Sequence, residues 1–439
     1  MNTLIRESQI IESKEQLSDV FKSGFKNTQK LGVEFEKLPV KNSDYTAVEF
    51  FYQNGILDFL SDYKEQNRGI PYFENNIMLG IEENIGTITL EPGCQVEMSL
   101  KPTENIADIK RELDIYNKKT ADIADKMGIS FLALGCQPVS TFESIKIIPK
   151  SRYANMTKFF ADKGALAYVM MRETAGIQTS IDYSDEEDAI KKLSTALRLS
   201  PFLSAFFVNS PIRAGKLSGY KSFRLNAWLN TDNKRCGLVS KKLIENPKDF
   251  SFDDYVDILL DVPMIFKGDE YVGNRNFGEF FAQKEVTISE WKTHLSLFFP
   301  DVRLKNYIEI RNHDCQKPEL AIAVPALYKG IFYSHNGMDE INELLSDFSY
   351  YDLEFVRQNA PRLGTDFSVK NIKISDIVKE IFYIAKRGLA QIGQNEELHL
   401  DKALELVEDN ITPADVIIRN FDGIWNKNIS KIVNFSKVR

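Results

Sequence analysis

The sequence predicts an α+β fold in which an antiparallel sheet is flanked by helices and followed by a helical C-terminal part. Alternation of apolar and polar residues, which is typical of half-buried strands, is concentrated before about residue 340. Helical periodicity then runs from about residue 338 almost to the end of the chain. The 439 residues are 43% hydrophobic and 27% charged, so the chain can bury a large core. Strands and helices that are segregated in this way favour the α+β class.

The first third of the chain is predicted to mix helices with strands. The 47–63 helix has apolar residues at helical spacing, although Gly55 weakens that prediction. The predicted elements, in order, are a polar helix at 1–30, a strand at 32–36, a helix at 47–63, a hairpin-like region at 77–100, an amphipathic helix at 106–127 and a short buried strand at 131–136.

Two capping signals predict where helices begin further along the chain. Ser184 with Glu187, and Thr287 with Glu290, have the spacing of capping boxes. The first is predicted to open a helix to about residue 199, and the second a helix that ends before Pro300. The remaining predictions are a mixed stretch at 151–171, a buried apolar stretch at 201–208, a possible strand at 222–230, helices at 338–348, 369–392 and 398–408, and a helix that begins at Thr412-Pro413.

Four predicted strands, far apart in the chain, place acidic or amide side chains opposite an apolar face. In the 86–102 stretch, a Pro-Gly turn is followed by Gln95, Glu97 and Ser99 on one face, with apolar residues on the other. The other three strands are 33–36, which carries Glu34 and Glu36, 177–182, which carries Gln178, and 307–311, which carries Glu309 and Arg311.

The polar positions of these strands are dominated by glutamate. One interpretation is that each strand faces water on that side, as antiparallel strands often do. The alternative is that the strands converge and hold a hard cation such as magnesium, which commonly arrives with the phosphates of a nucleotide. The set favours the second interpretation, although Glu91 could instead cap the turn at Pro92. The candidate metal ligands are Glu34, Glu36, Glu91, Glu97 and Glu309.

Composition excludes several classes of partner. The net charge of −8 provides no basic surplus for nucleic acid. No stretch approaches the roughly 18 uninterrupted apolar residues of a membrane span, and the first residues lack an apolar signal core. We therefore expect a cytoplasmic protein that binds neither nucleic acid nor membrane. The four cysteines form no CxxC pair and are expected to be free thiols, and the four histidines are scattered.

Several long segments carry a resemblance to a known family. They are GVEFEK (32–37), ITLEPGCQVEMSLKP (88–102), LALGCQP (132–138), MMRETAGIQTSID (170–182), FFVNSPI (206–212), YVDILLDVPMIF (255–266), ISEWKTHLSLFFPDVRLKNYIEIRNHD (288–314) and RGLAQIG to ITPAD (387–415). In this order they resemble the glutamate–cysteine ligases of the plant and proteobacterial type, which are carboxylate–amine ligases. The resemblance covers nearly the whole chain.

The resemblance implies a glutamine-synthetase-like catalytic core with a funnel-like antiparallel sheet, whose acidic residues hold Mg²⁺ bound to ATP. It implies that the γ-carboxylate of L-glutamate is phosphorylated and then attacked by the amine of L-cysteine. The product would be γ-glutamylcysteine, at the first step of glutathione biosynthesis. Phosphoryl transfer depends mostly on positioning and charge neutralisation, which suits these residue types. We expect a catalytic core at 1–340 and a helical part at 341–439, or one continuous domain, in a monomer or homodimer.

The resemblance also implies roles for single residues. The five glutamates match the metal-binding acids of the family. Arg311 matches an arginine near the transferring phosphate, Arg303 is a second catalytic candidate, and Gln178 sits where the family contacts metal or nucleotide. Arg224 and Arg235 are candidates for a carboxylate or a phosphate, because a guanidinium fork suits both anions. The remaining candidate is Tyr255, for the cysteine pocket.

Each of these roles has a structural alternative. The arginines could form ion pairs, Gln178 could lie on the sheet surface, and Tyr255 could belong to the core or the rim. Trp291 and His294, three residues apart on a helix, are interpreted as packing and a structural hydrogen bond.

The sequence departs from the family pattern at three places. Ala175 stands where plant members carry a cysteine of a redox-sensitive disulfide, so we expect no such switch. The neighbouring arginine is shifted to Arg172, and Ser180 replaces the usual asparagine. The alternatives are therefore a sister ligase that joins glutamate to another amine, and a non-catalytic nucleotide-binding scaffold. A purely structural protein would not need carboxylates inside apolar strands, where unpaired charge is costly.

Overall fold

A computed structural model describes residues 7–439 and is built around one nine-stranded sheet. The strands are β1 (Leu31–Lys41), β2 (Ile70–Glu74), β3 (Ile77–Glu82), β4 (Gly86–Leu90), β5 (Val96–Leu100), β6 (Ile129–Leu132), β7 (Gly176–Ile181), β8 (Val302–Leu304) and β9 (Ile308–Asp314). They lie in the order β8-β9-β7-β1-β5-β4-β3-β2, with β6 paired to the far end of β1, and all neighbours are antiparallel. The predicted antiparallel sheet is thus confirmed.

Helices surround the sheet and make up the C-terminal part. Those before residue 300 are α1 (Lys14–Lys22), α2 (Ile56–Asn67), α3 (Ile106–Met127), α4 (Ser151–Phe160), α5 (Ala167–Glu173), α6 (Glu186–Phe206), α7 (Phe223–Leu229), α8 (Lys241–Glu245), α9 (Phe252–Leu260), α10 (Phe277–Ala282) and α11 (Ile288–Ser296). The later ones are α12 (Pro318–Ala321), α13 (Ala323–Phe332), α14 (Gly337–Leu344), α15 (Tyr350–Leu363), α16 (Ile374–Ile392), α17 (Asp401–Glu408), α18 (Pro413–Asp422) and α19 (Ile429–Ser436).

Short elements complete the chain. There are 3₁₀ helices at Pro247–Asp249 and Glu396–Leu400. Two-residue strands pair at Ile212–Arg213 with Lys216–Leu217, Cys236–Gly237 with Phe299–Pro300, Phe266–Lys267 with Glu270–Tyr271, and Ser368–Val369 with Ile372–Lys373. Within residues 7–439, every helix is too short or too polar to cross a membrane.

The core lies against the apolar face of the sheet. Phe35 of β1, Met98 of β5 and Ile310 of β9 point to this side of the sheet and are fully buried. Helices α3, α6 and α13 contact these strands and exclude water from them. Because side chains alternate along a strand, the polar residues between the apolar ones face the opposite side of the sheet.

Several predicted elements have different bounds. The predicted helix at 1–30 is α1 alone, and residues 1–6 lie outside the described part of the chain. The predicted 47–63 helix begins only at Ile56, because Gly55 is the residue that precedes it as N-cap. The helix opened near Ser184 has Asp185 as its N-cap instead, with Asp185 Oδ1 accepting from Asp188 N at 2.9 Å.

Two predictions failed because tertiary burial or capping outweighed local preference. The possible strand at 222–230 is helix α7, whose start is fixed by Ser222 Oγ accepting from Leu225 N at 3.0 Å. Helix α6 continues through Pro201 to Phe206 although proline disfavours a helix interior. Residues 199–206 are all buried, and this burial offsets the lost backbone bond.

Candidate active site

A cavity of about 270 Å³ opens on the polar face of the sheet. It is walled by α4, α5 and α7 and by residues near Phe299. Most of the residues predicted from the sequence line it, namely Glu34, Glu36, Glu91, Glu97, Gln178, Arg224, Arg303, Glu309 and Arg311.

Strand register explains why residues far apart in the chain meet here. Across the sheet, Glu36 of β1 lies opposite Glu97 of β5, and Glu34 lies opposite Gln178 of β7. On the other side of β7, Arg303 of β8 lies opposite Glu309 of β9. Side chains opposite each other on antiparallel strands share a face, so these groups form one continuous polar surface.

One end of the cavity is acidic. Glu36 accepts hydrogen bonds from Gly176 N at 2.6 Å and from Gln178 Nε2 at 3.2 Å. Glu97 accepts from Thr89 Oγ1 at 2.8 Å. Burial, with repulsion from neighbouring carboxylates, raises the pKa of Glu34 and of Glu36 to about 7 and raises the pKa of Glu97 well above its usual range. The protein itself therefore supplies too little positive charge around these three carboxylates to neutralise them.

The other end is basic and surrounds Glu309. Arg303 Nη2 lies 2.6 Å from Glu309 Oε2, and Arg311 Nη1 lies 2.8 Å from the same oxygen. Lys305 Nζ is 3.7 Å from Glu309 Oε1. Burial alone would raise the pKa of Glu309, but the guanidinium groups of Arg303 and Arg311 hold it well below its usual range. Glu309 is thus already neutralised by cations of the chain.

Gln178 joins the two ends. Its Oε1 accepts from Arg311 Nη1 at 2.8 Å, and its Nε2 donates to Glu36 Oε1 at 3.2 Å. An amide can do both at once because it carries a donor and an acceptor. A continuous hydrogen-bonded chain therefore runs from Glu309 through Arg311 and Gln178 to Glu36.

Arg224 enters the cavity from α7 and is held from behind. Its Nη2 donates to Arg311 O at 3.0 Å, and its Nη1 is 3.9 Å from Asp314 Oδ1. Its Nε and Nη1 have no hydrogen-bond partner among the described residues. Its guanidinium group therefore contributes positive charge to the wall of the cavity.

Two predicted residues are not brought to the cavity. Arg235 is fully buried elsewhere, where its Nη1 donates to Leu297 O at 2.8 Å and its Nη2 donates to Pro263 O. Tyr255 is also fully buried, and its hydroxyl accepts from Leu304 N at 3.1 Å. Both side chains are occupied in holding the backbone around the site.

Trp291 and His294 lie in the core as predicted. The His294 ring stacks on Phe277 at 4.6 Å, and its Nε2 is 3.0 Å from Leu259 O.

The cavity contains cations that the sequence reasoning missed. They are Lys150, which is the N-cap residue of α4, and Arg152, in the first turn of α4 next to Tyr153. A lysine and an arginine at the start of a mixed stretch carry no periodic signal, so the pattern alone did not mark them. The position of α4 depends on Glu74, 77 residues away, which accepts from Ser151 N at 2.8 Å.

The acidic end fits a divalent cation that arrives with its own ligands. No three His, Cys, Asp or Glu side chains within residues 7–439 already form a complete metal-binding group. Magnesium usually takes only one or two carboxylates and completes its shell with water and phosphate oxygens. Buried carboxylates with raised pKa values provide such partial coordination, and a cation would offset their mutual repulsion.

Comparison with known sequences identifies the family. The family model described as glutamate-cysteine ligase family 2 matches residues 30–434. Over 433 residues the chain is 30% identical to glutamate–cysteine ligase B, chloroplastic, of Oryza sativa subsp. japonica, covering 96% of this chain and 86% of that protein. It is equally 30% identical to the chloroplastic glutamate–cysteine ligase of Nicotiana tabacum, with coverage of 96% and 82%.

Comparison with solved structures supports the fold. A glutamate–cysteine ligase from Francisella tularensis in complex with AMP matches with a TM-score of 0.55 at 14% identity, covering 94% of this chain and 88% of that one. A bifunctional glutathione synthetase from Pasteurella multocida matches with a TM-score of 0.51 at 14% identity, covering 98% of this chain and 53% of that one.

These comparisons correct the predicted location. The relatives from rice, tobacco and Brassica juncea are named as chloroplastic enzymes. This finding overturns the expectation of a cytoplasmic protein.

Proposed function

The chain is a ligase that belongs to glutamate-cysteine ligase family 2, and we propose that it uses ATP to join the γ-carboxylate of L-glutamate to the amine of L-cysteine. The product is γ-glutamylcysteine, and the intermediate is γ-glutamyl phosphate. The observation that carries this proposal is the polarity of the cavity. Carboxylates that lack counter-charge occupy one end, and clustered guanidinium groups occupy the other.

At the acidic end, Glu36, Glu97 and Glu34 would hold Mg²⁺, with Glu91 at the edge of the cavity. The ion would supply positive charge to the phosphate oxygens of ATP. Glu309 fits this role less well, because its carboxylate is already paired with Arg303 and Arg311. Metal binding by Glu309 stays a prediction. We propose that its role is to position the two guanidinium groups.

At the basic end, Arg311 and Arg303 would stabilise the negative charge that spreads over the phosphoryl group during its transfer. Preorganised cations act strongly in such a site because they need no rearrangement when the charge develops. Gln178 donates to Glu36 and accepts from Arg311, so it fixes the distance between the carboxylates and the guanidinium.

Glutamate would be held by the cations that remain. Arg224 and Arg152 reach the cavity from two different helices and can each donate to a carboxylate. No nucleophilic serine or cysteine is required, because the acyl phosphate is itself reactive enough for the amine to attack. The chain therefore needs to bind and orient the substrates and to neutralise the charge of the phosphates. The charged residues of the cavity suit these tasks.

The test is ADP release by the purified full chain with ATP, magnesium and glutamate, with and without cysteine. Strong cysteine-dependent release, with γ-glutamylcysteine identified by mass spectrometry, supports the proposal. Release with another small amine but not with cysteine makes the chain a sister ligase with the same chemistry. No release with any amine contradicts an enzymatic function and leaves a nucleotide-binding scaffold.

A further inference from the structure

A second cavity, of about 330 Å³, lies behind the candidate active site between the end of β9 and the C-terminal helices. Its walls are apolar and come from Leu320 of α12, Leu406 of α17, Val416 of α18 and Phe435 of α19. None of the residues that line it also lines the first cavity. Its volume is that of a site for a small organic molecule. The proposed function leaves it unused.

The rim of this second cavity carries both signs of charge. Lys402 pairs with Glu405, with Nζ to Oε1 at 2.8 Å. Lys317 and Glu319 form no ion pair with any residue in the range 7–439. The Lys317 ammonium lies 4.5 Å from the centre of the Phe435 ring. A half-buried ammonium and an exposed carboxylate therefore lie at the rim of the same apolar walls.

We propose that the second cavity binds a free α-amino acid with an apolar side chain. The side chain would fill the space between Leu320, Val416 and Phe435. The α-carboxylate would pair with Lys317, and the α-ammonium with Glu319. A ligand with both charges can pair with both rim groups, whereas a ligand with one charge gains only one of these attractions.

Two residues that line the second cavity, Asn209 and Gln316, connect it to the first cavity. Asn209 N donates to Asp314 Oδ2 at 2.8 Å, and Gln316 Nε2 donates to Asp314 O at 3.2 Å. On its other side, Asp314 accepts from Ser222 Oγ at 2.9 Å and lies 3.9 Å from Arg224 Nη1. A ligand that displaces Asn209 or Gln316 would therefore displace Asp314 and, through it, Arg224. This link rests on the proposed function, in which Arg224 binds glutamate.

The first experiment measures binding by isothermal titration of the full chain, which needs no turnover. The probe is L-leucine, compared with 4-methylpentanoate, which lacks the ammonium group, and with isoamylamine, which lacks the carboxylate. We expect L-leucine to bind at least about tenfold more tightly than either analogue, because only it satisfies both rim charges. No saturable binding of L-leucine, or equal binding of one analogue, overturns the proposal.

Two matched variants locate the site. Val416→Trp fills the cavity from α18 and should abolish L-leucine binding. Ile424→Trp adds the same group at a position that is 80% exposed and should leave binding unchanged. Lys317→Met should weaken L-leucine binding but not the weak binding of isoamylamine. Unchanged binding in Val416→Trp would place the ligand elsewhere and overturn the assignment.

A kinetic experiment tests the link. Saturating L-leucine should change the KM for glutamate and leave the KM for ATP unchanged, and Val416→Trp should remove the effect. Binding without a change in the KM for glutamate overturns coupling through Asp314. If the chain shows no turnover at all, the proposed function fails, whereas the titration still decides whether the second cavity binds an amino acid.

Discussion

At the scale of single residues, Glu97 and Glu309 occupy the same cavity in opposite electrostatic states. Glu97 is surrounded by Glu34, Glu91 and Glu36, and burial together with their repulsion raises its pKa. Glu309 is paired with two guanidinium groups, which lower its pKa. The same substitution should therefore have opposite effects on stability at the two positions.

Glu97→Gln should lower kcat at least about 100-fold, because a preorganised charge at the reacting phosphates is lost. The free energy of unfolding of the metal-free protein should stay the same or rise, because the variant removes repulsion between buried carboxylates. Steady-state kinetics and denaturant unfolding measure the two effects. Glu82→Gln, an exposed change on β3, is the control. Near-normal kcat in Glu97→Gln would contradict its assignment to the metal.

Glu309→Gln should also abolish turnover, but it should destabilise the fold by about 3–5 kcal/mol, since it leaves Arg303 and Arg311 without a buried partner. Glu309 is 1% exposed and Arg303 is 5% exposed, so water can replace little of the lost interaction. Urea unfolding measures the loss. Asp257→Asn breaks an exposed ion pair with Lys14 and should cost no more than about 1 kcal/mol. An equally small loss in Glu309→Gln would show that the buried cluster is not stabilising.

The sequence marked the site residues that lie on strands, and it did so for a physical reason. Alternation along β1 puts Glu34 and Glu36 on one face, and this holds whatever the strand pairs with. Which strands are neighbours is decided by long-range packing, so the placement of Glu34 opposite Gln178 was not visible. Arg235 was indistinguishable from Arg224 in sequence, and only the fold sends one to the cavity and the other to backbone carbonyls.

At the scale of elements, the start of the short helix α4 is capped by a side chain from the edge of the sheet. Glu74, at the end of β2, accepts hydrogen bonds from Ser151 N at 2.8 Å and from Ser151 Oγ. It thereby caps the helix across the chain, in the place of a local N-cap residue. Arg152 follows directly, so the cap also fixes where this guanidinium enters the cavity.

Glu74→Ala should raise the KM for glutamate several-fold with a smaller change in kcat, because Arg152 loses its fixed position for the substrate. The loss of a cap should cost about 1 kcal/mol of stability. Initial rates at varied glutamate and a denaturation curve measure these effects. Glu65→Ala, exposed on α2, is the matched control. A loss of stability with an unchanged KM would mean that the cap is structural only.

Elements were predictable where the local signal was strong. The capping box predicted at Thr287 begins α11, and the predicted start at Thr412-Pro413 begins α18. Residues 222–230 were ambiguous because a short apolar run suits either a strand or a helix. The cap at Ser222 and packing against α15 decided for the helix.

At the scale of the whole molecule, a buried ion pair joins the C-terminal helices to the catalytic part. Lys329 of α13 pairs with Glu396, and the two side chains are 2% and 4% exposed. Glu396 Oε1 also accepts from Ile106 N at 2.6 Å, at the start of α3. Lys329 Nζ further donates to Glu104 O at 2.6 Å. We infer that residues 341–439 fold together with the core as one cooperative unit.

Tryptophan fluorescence can test this inference, because Trp228 and Trp291 report on the core and Trp425 on the C-terminal helices. In variants that keep only the core tryptophans or only Trp425, urea should give the same midpoint.

Glu396→Ala should lower the stability by about 3–5 kcal/mol, because it leaves the Lys329 ammonium buried without its partner. The double change Lys329→Met with Glu396→Leu should recover much of that loss, since an apolar pair removes the unmatched charge. Glu408→Ala, which breaks a surface pair with Lys379, is the control and should leave both midpoints in place. Two separate midpoints in the parent protein would instead mean that the C-terminal helices unfold as an independent domain. In that case Glu396→Ala would shift only the midpoint that Trp425 reports.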